Sequence, residues 1–161
     1  MTIRSIVAAY DGSPESITAL DEAADLARQS GAKLTIVGAV PLVSQTFGVA
    51  MPVGQGIEHA VDEARKDLAA QKSRLAAHGL AGVETHLLEA DPVAAVVGYV
   101  DQHSIDLVVV GSRGLGAPGR FFLGSVSDGI LHHARCSVLV VKSTRAAPGG
   151  KPAAAPRKGA R

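Results

Sequence analysis

Five short strand-like runs alternate strictly with four amphipathic stretches, and this alternation restricts the fold more than any single residue does. The runs are Ile6–Tyr10, Leu34–Val40, Val83–Leu88, Asp106–Val110 and Ser137–Val141. Each is short and most are aliphatic and closed by turn-forming residues, as buried strands are. Between them, apolar residues recur at helical spacing. Ile17, Leu20, Ala24 and Ala27 follow the turn Asp11-Gly12-Ser13-Pro14, with Ser13 as N-cap and Pro14 as first helical residue, and the helix stops near Gly31. A longer helix carries Ile57, Val61, Ala64, Leu68 and Leu75 on one stripe and ends at Gly79; Glu58, Asp62 and Lys66 lie on its charged face with i,i+4 support. Asp91 and Pro92 open a third helix with Val93, Val96, Val97 and Val100 inward, and Ser125–Ala134 forms a fourth. The order β-α-β-α-β-α-β-α-β predicts an α/β fold: an open five-stranded parallel sheet with helices on both faces, Rossmann-like in kind. Right-handed crossovers leave few ways to arrange it.

Composition agrees. The chain has 161 residues, which suits one domain, and 47% of them are hydrophobic, yet it has no Trp, three Phe and two Tyr. The core must be built from Val, Ile, Leu and Ala, and aromatic platforms for single-stranded nucleic acid are scarce. Net charge is +1, unevenly spread: residues 143–161 hold five basic residues and no acid, leaving 11 basic against 15 acidic in residues 1–142. A mildly acidic folded part argues against a nucleic-acid face. Residues 1–142 are expected to form the domain and 143–161, rich in Ala, Pro, Gly and cations, a disordered basic tail. No run approaches the ~20 apolar residues of a membrane span. Met1-Thr2-Ile3-Arg4 leads straight into the first strand without a signal peptide, and Cys136 has no internal partner. Both fit a cytoplasmic location. Cys136 is expected to behave as a small buried hydrophobe.

In an open parallel sheet, ligands bind beyond the carboxyl ends of the strands, where the crossover direction reverses. The segment after the fourth strand ends there: Gly111-Ser112-Arg113-Gly114, nine further residues, then Gly124-Ser125. Ser125 begins a helix and Asp128 completes a capping-box pattern. Amides at such a start suit phosphate, although a plain strand-to-helix loop explains the same residues. Arg113 and Arg120 either neutralise phosphate charge or face solvent. Asp11, at the end of the first strand, is either a ligand contact or a turn former. Gly114-Leu115-Gly116-Ala117-Pro118-Gly119 matches the dinucleotide fingerprint in letters only, because it follows the wrong strand and opens no helix. No P-loop motif occurs, and the six histidines lack zinc-ligand spacing.

The spacing G-x2-G-x9-G-[ST], met by Gly111, Gly114, Gly124 and Ser125, resembles the ATP-binding signature of universal stress proteins. The resemblance runs from Ile6 to Val141. It includes Asp11-Gly12-Ser13, Asp91-Pro92, Asp106 to Gly114, Leu123 to Ser127 and His133 to Val141; Ala90 departs from it, standing where the family usually has Gly. It implies strand order 3-2-1-4-5, and makes residues 1–142 a nucleotide-binding domain. It also implies roles. Asp11 would face the ribose or a Mg ion carried by ATP. Backbone groups of Val40 would meet the adenine edge. Gly111 and Gly114 would line sugar and phosphates, and Gly124, Ser125, Val126 and Ser127 would hold the phosphates through amides and hydroxyls. The last strand, Ser137 to Val141, would lie at the sheet edge and pair two copies into a homodimer.

The function expected is that of an ATP-binding regulatory protein acting as a nucleotide-dependent dimeric switch in stress response. Slow ATP hydrolysis, adenylyl transfer, and AMP or cyclic-nucleotide binding stand as alternatives. A receiver-type phospho-acceptor fits poorly, since Asp11 has no acidic neighbour in sequence and Glu89-Ala90-Asp91 is misplaced for it.

Overall fold

A computed structural model describes residues 2–41, 55–113 and 123–142. The elements in chain order are β1 (Ser5–Tyr10), α1 (Pro14–Ser30), β2 (Lys33–Ala39), α2 (Gln55–Ala77), β3 (Glu84–Leu88), α3 (Pro92–His103), β4 (Leu107–Gly111), α4 (Ser125–His133) and β5 (Ser137–Val141). All four strand pairings are parallel, in the order β3-β2-β1-β4-β5. The expected tail 143–161, Gly114, Arg120 and most of the irregular stretch 41–56 lie outside the described residues.

Strand alternation divides the core into two layers. Ile6, Ala8 and Tyr10 of β1, Leu34 and Ile36 of β2, and Leu107 and Val109 of β4 pack under α1 and α2. Val7, Ala9, Val37, Val108 and Val110 pack under α3 and α4. Both faces of the sheet centre are therefore covered, which is why β1 and β4 read as near-continuous apolar runs, whereas the edge strand β3 carries Glu84, Thr85 and His86. The small side chains of Ala19, Ala23, Ala24 and Ala27 let α1 lie close on the sheet. No helix among the described residues is long and apolar enough to cross a membrane.

Element boundaries shift by a residue or two from the sequence reading. Gly111, expected in the loop, is the last residue of β4 because it pairs with Val141. On α3 the buried face is Ala95, Val96, Tyr99 and Val100. Val93, expected inward, meets α4 instead, where a Cβ on Gly129 would come within 2.7 Å of it. On α2 the charged side chains pair at i,i+3, Asp62 with Arg65 and Glu63 with Lys66, rather than at the expected i,i+4. These exposed pairs contribute little stability.

One carboxylate ties the amino-terminal edge of the sheet. Asp106 Oδ2 accepts from the Arg4 amide (2.8 Å), the Ser5 amide (3.0 Å) and the Ser5 hydroxyl (3.0 Å). It thereby aligns the start of β4 with that of β1. The Arg4 amide, followed by the Ser5 hydroxyl, holds its pKa below the ordinary value. A depressed carboxylate stabilises the fold above its unfolded pKa, and that contribution disappears as pH falls through the folded value. Asp106→Asn should therefore be less stable than the parent at neutral pH. The difference should shrink as pH drops through about 4 and below, the range where Asp ordinarily titrates. Urea denaturation of both proteins across that range checks this; a gap that stays constant with pH would contradict it.

Candidate functional site

The chain leaves β1 toward the face of α1 and α2, and leaves β4 toward the face of α3 and α4. β1 and β4 are neighbours, so their carboxyl ends diverge and leave a crevice at the point where the winding reverses. Three short segments meet at that edge: Asp11–Ser13, Gly111–Arg113, and Gly124–Ser127.

The β1 segment is a tight turn set by its side chains. Asp11 Oδ1 accepts from the Ser13 amide at 3.0 Å, and Gly12 takes φ +80°, a conformation that favours glycine. Ser13 Oγ then accepts from the Ser16 amide (3.1 Å) as the N-cap of α1, with Pro14 following. Asp11 is thus a turn former, and its exposed position at the strand end leaves it beside the crevice as well. Asp67 of α2 overhangs this turn: its Oδ2 lies 3.7 Å from where a Cβ on Gly12 would stand. Burial, followed by the Asp67 carboxylate, pushes the Tyr10 hydroxyl above its ordinary pKa. Sequence spacing carries no sign of Asp67, because its approach depends on where α2 packs.

The β4 segment holds two glycines for reasons of packing. A Cβ on Gly111 would meet the backbone of Glu15 at 2.8 Å (carbonyl carbon) and 2.9 Å (carbonyl oxygen). Glycine here lets the first turn of α1 rest on the end of β4. Gly124 has extended φ and ψ (−67° and 151°), open to any residue, but a Cβ would lie 3.3 Å from Arg113 Cα and 3.5 Å from Ser112 O. The buried Ser112 closes the neck of the intervening loop. Its amide donates to Val141 O (2.8 Å), and its carbonyl accepts from the Gly124 amide (2.8 Å) and from Ser127 Oγ (3.2 Å).

Several expected roles change in this geometry. The residue that caps α4 is Gly124, which has no side chain to do so, and Ser125 is the first helical residue. The Ser125–Asp128 capping box does not form; the Asp128 amide donates to Gly124 O at 2.9 Å as an ordinary first-turn bond. Among the described residues, the amides of Ser125, Val126 and Ser127 therefore have neither an intrahelical acceptor nor a capping side chain. Ser127 Oγ is buried and donates within the neck, to Gly124 O (2.8 Å) and Ser112 O, so what it offers outward is its amide. Val40, just past β2, donates its amide to Leu88 O at 2.9 Å, which leaves only its carbonyl for an adenine edge. Arg113 Nη2 stands 3.7 Å from Glu15 Oε1, so neither of its expected roles describes it fully. Cys136 is half-buried against the α3–α4 layer, and burial raises its thiol pKa.

Two substitutions separate packing from ligand chemistry. Gly111→Ala should destabilise the fold by about 1–3 kcal/mol, since the added methyl meets backbone that cannot rotate away. Ser125→Ala should leave stability within about 0.5 kcal/mol, because the exposed hydroxyl caps nothing. Urea melts of the two variants give both numbers; a loss above ~1 kcal/mol in Ser125→Ala would restore its role as a cap.

Relatives place this architecture. The sequence profile of the Universal stress protein family matches residues 2–142. A protein of Staphylococcus haemolyticus named as a universal stress protein is 34% identical over 145 residues, covering 89% of this chain and 87% of its own. Among solved structures, the universal stress protein UspA from Lactobacillus plantarum superposes with a TM-score of 0.78 at 23% identity, covering 88% of this chain and 99% of that one. A universal stress protein solved in complex with cAMP superposes at 0.67 with 28% identity, covering 88% and 98%. With its sheet order, its switch-point crevice and a profile match across almost all of its folded length, the chain belongs to the universal stress protein family.

Proposed function

We propose that this protein binds an adenine nucleotide, ATP included, in the crevice between β1 and β4, and that it acts as a nucleotide-dependent dimeric regulator in the cytoplasmic stress response. The observation that carries the reading is the uncapped start of α4 at Gly124, whose first amides open at the switch point. In this reading the phosphates lie against Gly124, Ser125, Val126 and Ser127. The ribose lies near Asp11, Gly111 and Gly114, and the adenine beside the Val40 carbonyl. Among the described residues no three His, Cys, Asp or Glu side chains come together as metal ligands. A Mg ion at Asp11 would therefore arrive on the phosphates. AMP or a cyclic nucleotide is the second reading, favoured by the relative solved in complex with cAMP.

Calorimetry on nucleotide-free protein, with ATP, AMP and cAMP in turn, tests the reading and ranks the ligands. Gly124→Val should weaken nucleotide binding by an order of magnitude or more, since a branched Cβ would crowd the amides that hold charged oxygens at roughly 1.5–3 kcal/mol each. Circular dichroism of that variant must remain native, because the same Cβ presses on the Ser112–Arg113 neck. Absence of binding by the parent, or unchanged affinity in folded Gly124→Val, would refute the site.

The dimer is proposed through β5, the edge strand opposite β3. Leu139 on β5 is 37% exposed and Leu131 on α4 is 48% exposed, the large apolar side chains standing out among the described residues. An apolar open edge calls for a covering strand, and two-fold pairing is the commonest way to supply one. Val138 and Val140 already pack into the α3–α4 layer, so Leu139→Lys is the cleaner test. It should convert a dimer to a folded monomer by light scattering; a parent that is monomeric at high concentration would refute the proposal.

A further inference from the structure

The Glu15–Arg113 pair stands where the nucleotide reading puts phosphate, and it joins a carboxylate to the cation that a phosphate would seek. Arg113 lies on the strand-to-helix loop with its Cα 3.3 Å from the Cβ position of Gly124, beside the first amides of α4. Its guanidinium turns toward α1 and meets Glu15 Oε1 at 3.7 Å. Both side chains are largely sheltered, 31% exposed for Arg113 and 20% for Glu15. Glu15 cannot drift, because its own backbone abuts the bare Cα of Gly111. The root of the side chain is therefore fixed beside the crevice, within reach of Arg113.

We infer that Glu15 is a built-in competitor for Arg113, so that it sets how strongly the site responds to phosphate charge. This rests on the nucleotide reading and adds a residue to it. In the ligand-free protein the guanidinium is held by Glu15. A phosphate at the α4 start draws Arg113 away, forming a charge-assisted contact of the stronger kind. Glu15 then remains as a nearby negative charge. The cost of this exchange grows with the charge of the ligand and is absent for an uncharged nucleoside. Glu15 thus shifts preference toward weakly charged adenine ligands, and a divalent cation carried on the phosphates relieves the penalty.

The test is calorimetry with adenosine, AMP and ATP, without divalent cation and at low salt. It uses the parent, Glu15→Gln, Arg113→Gln and the double variant. Glu15→Gln keeps the size and the backbone contact at Gly111, and melting curves verify its fold. It should tighten ATP about two- to fivefold, the range expected of a partly exposed ion pair, tighten AMP less, and leave adenosine unchanged. Arg113→Gln should weaken ATP, and adding Glu15→Gln to it should recover little. The gain should fade at high salt. The inference is overturned if Glu15→Gln weakens ATP as Arg113→Gln does, which would make Glu15 a positioning residue. It is also overturned if ATP affinity does not change, if adenosine shifts equally, or if the gain persists in full without Arg113. If the parent binds ATP, any of these outcomes refutes the role of Glu15 alone; if the parent binds no adenine ligand, the nucleotide reading fails with it.

Discussion

The first turn of α1 rests on the end of β4 because Gly111 has no Cβ, and much of the site follows from that contact. With the Glu15 backbone set against Gly111, α1 bridges the two central strands instead of lying over β1 alone. That sets the Asp11–Ser13 turn beside the end of β4 and brings Glu15 within reach of Arg113. Glu15 in turn orients Arg113, and Arg113 abuts Gly124 at the start of α4. A single missing methyl group thus links strand packing, an ion pair and a helix terminus. Gly111 and Gly124 of the signature are accordingly packing residues in their own right. Gly111 and Gly124 each face backbone at less than normal Cβ distance, whatever binds later.

The two ends of the sheet handle charge differently. At the amino-terminal edge Asp106 is satisfied by three donors from Arg4 and Ser5 at the start of β1 and helps set the register of the central pair. At the carboxyl edge, Asp67 stands beside the Asp11–Ser13 turn and Glu15 beside Arg113, near the start of α4 at Gly124. Structural charges are paired where nothing need bind. At the other edge, fixed dipoles and carboxylates oppose one another.

Much of the fold was legible in one dimension because its signals are local. An apolar run bounded by Gly, Pro and Asp reads as a strand wherever it occurs. Ser13-Pro14 and Asp91-Pro92 announce helix starts through bonds that span two or three residues, and both caps form as read. The helix starts at Ser125 as read, but the capping box at Ser125–Asp128 failed. The cap position is Gly124, whose amide bonds across to Ser112 O. That bond joins residues 12 apart through a loop, so no local pattern reports it.

What the sequence by itself determined was the alternation of elements, the aliphatic two-sided core, and the family through its signature glycines. These depend on periodicity, on turn chemistry and on motif spacing, all of which survive in a linear string. Only the tertiary structure decided how the site residues are used. Ser127 turned its hydroxyl into the neck and left its amide outward, Val40 gave its amide to Leu88, and Glu15 and Asp67 entered the site unannounced. The physical reason is common to all four. Each is set by how one element packs on another, at a separation where backbone donors and carboxylates choose partners by distance in space and not by position along the chain.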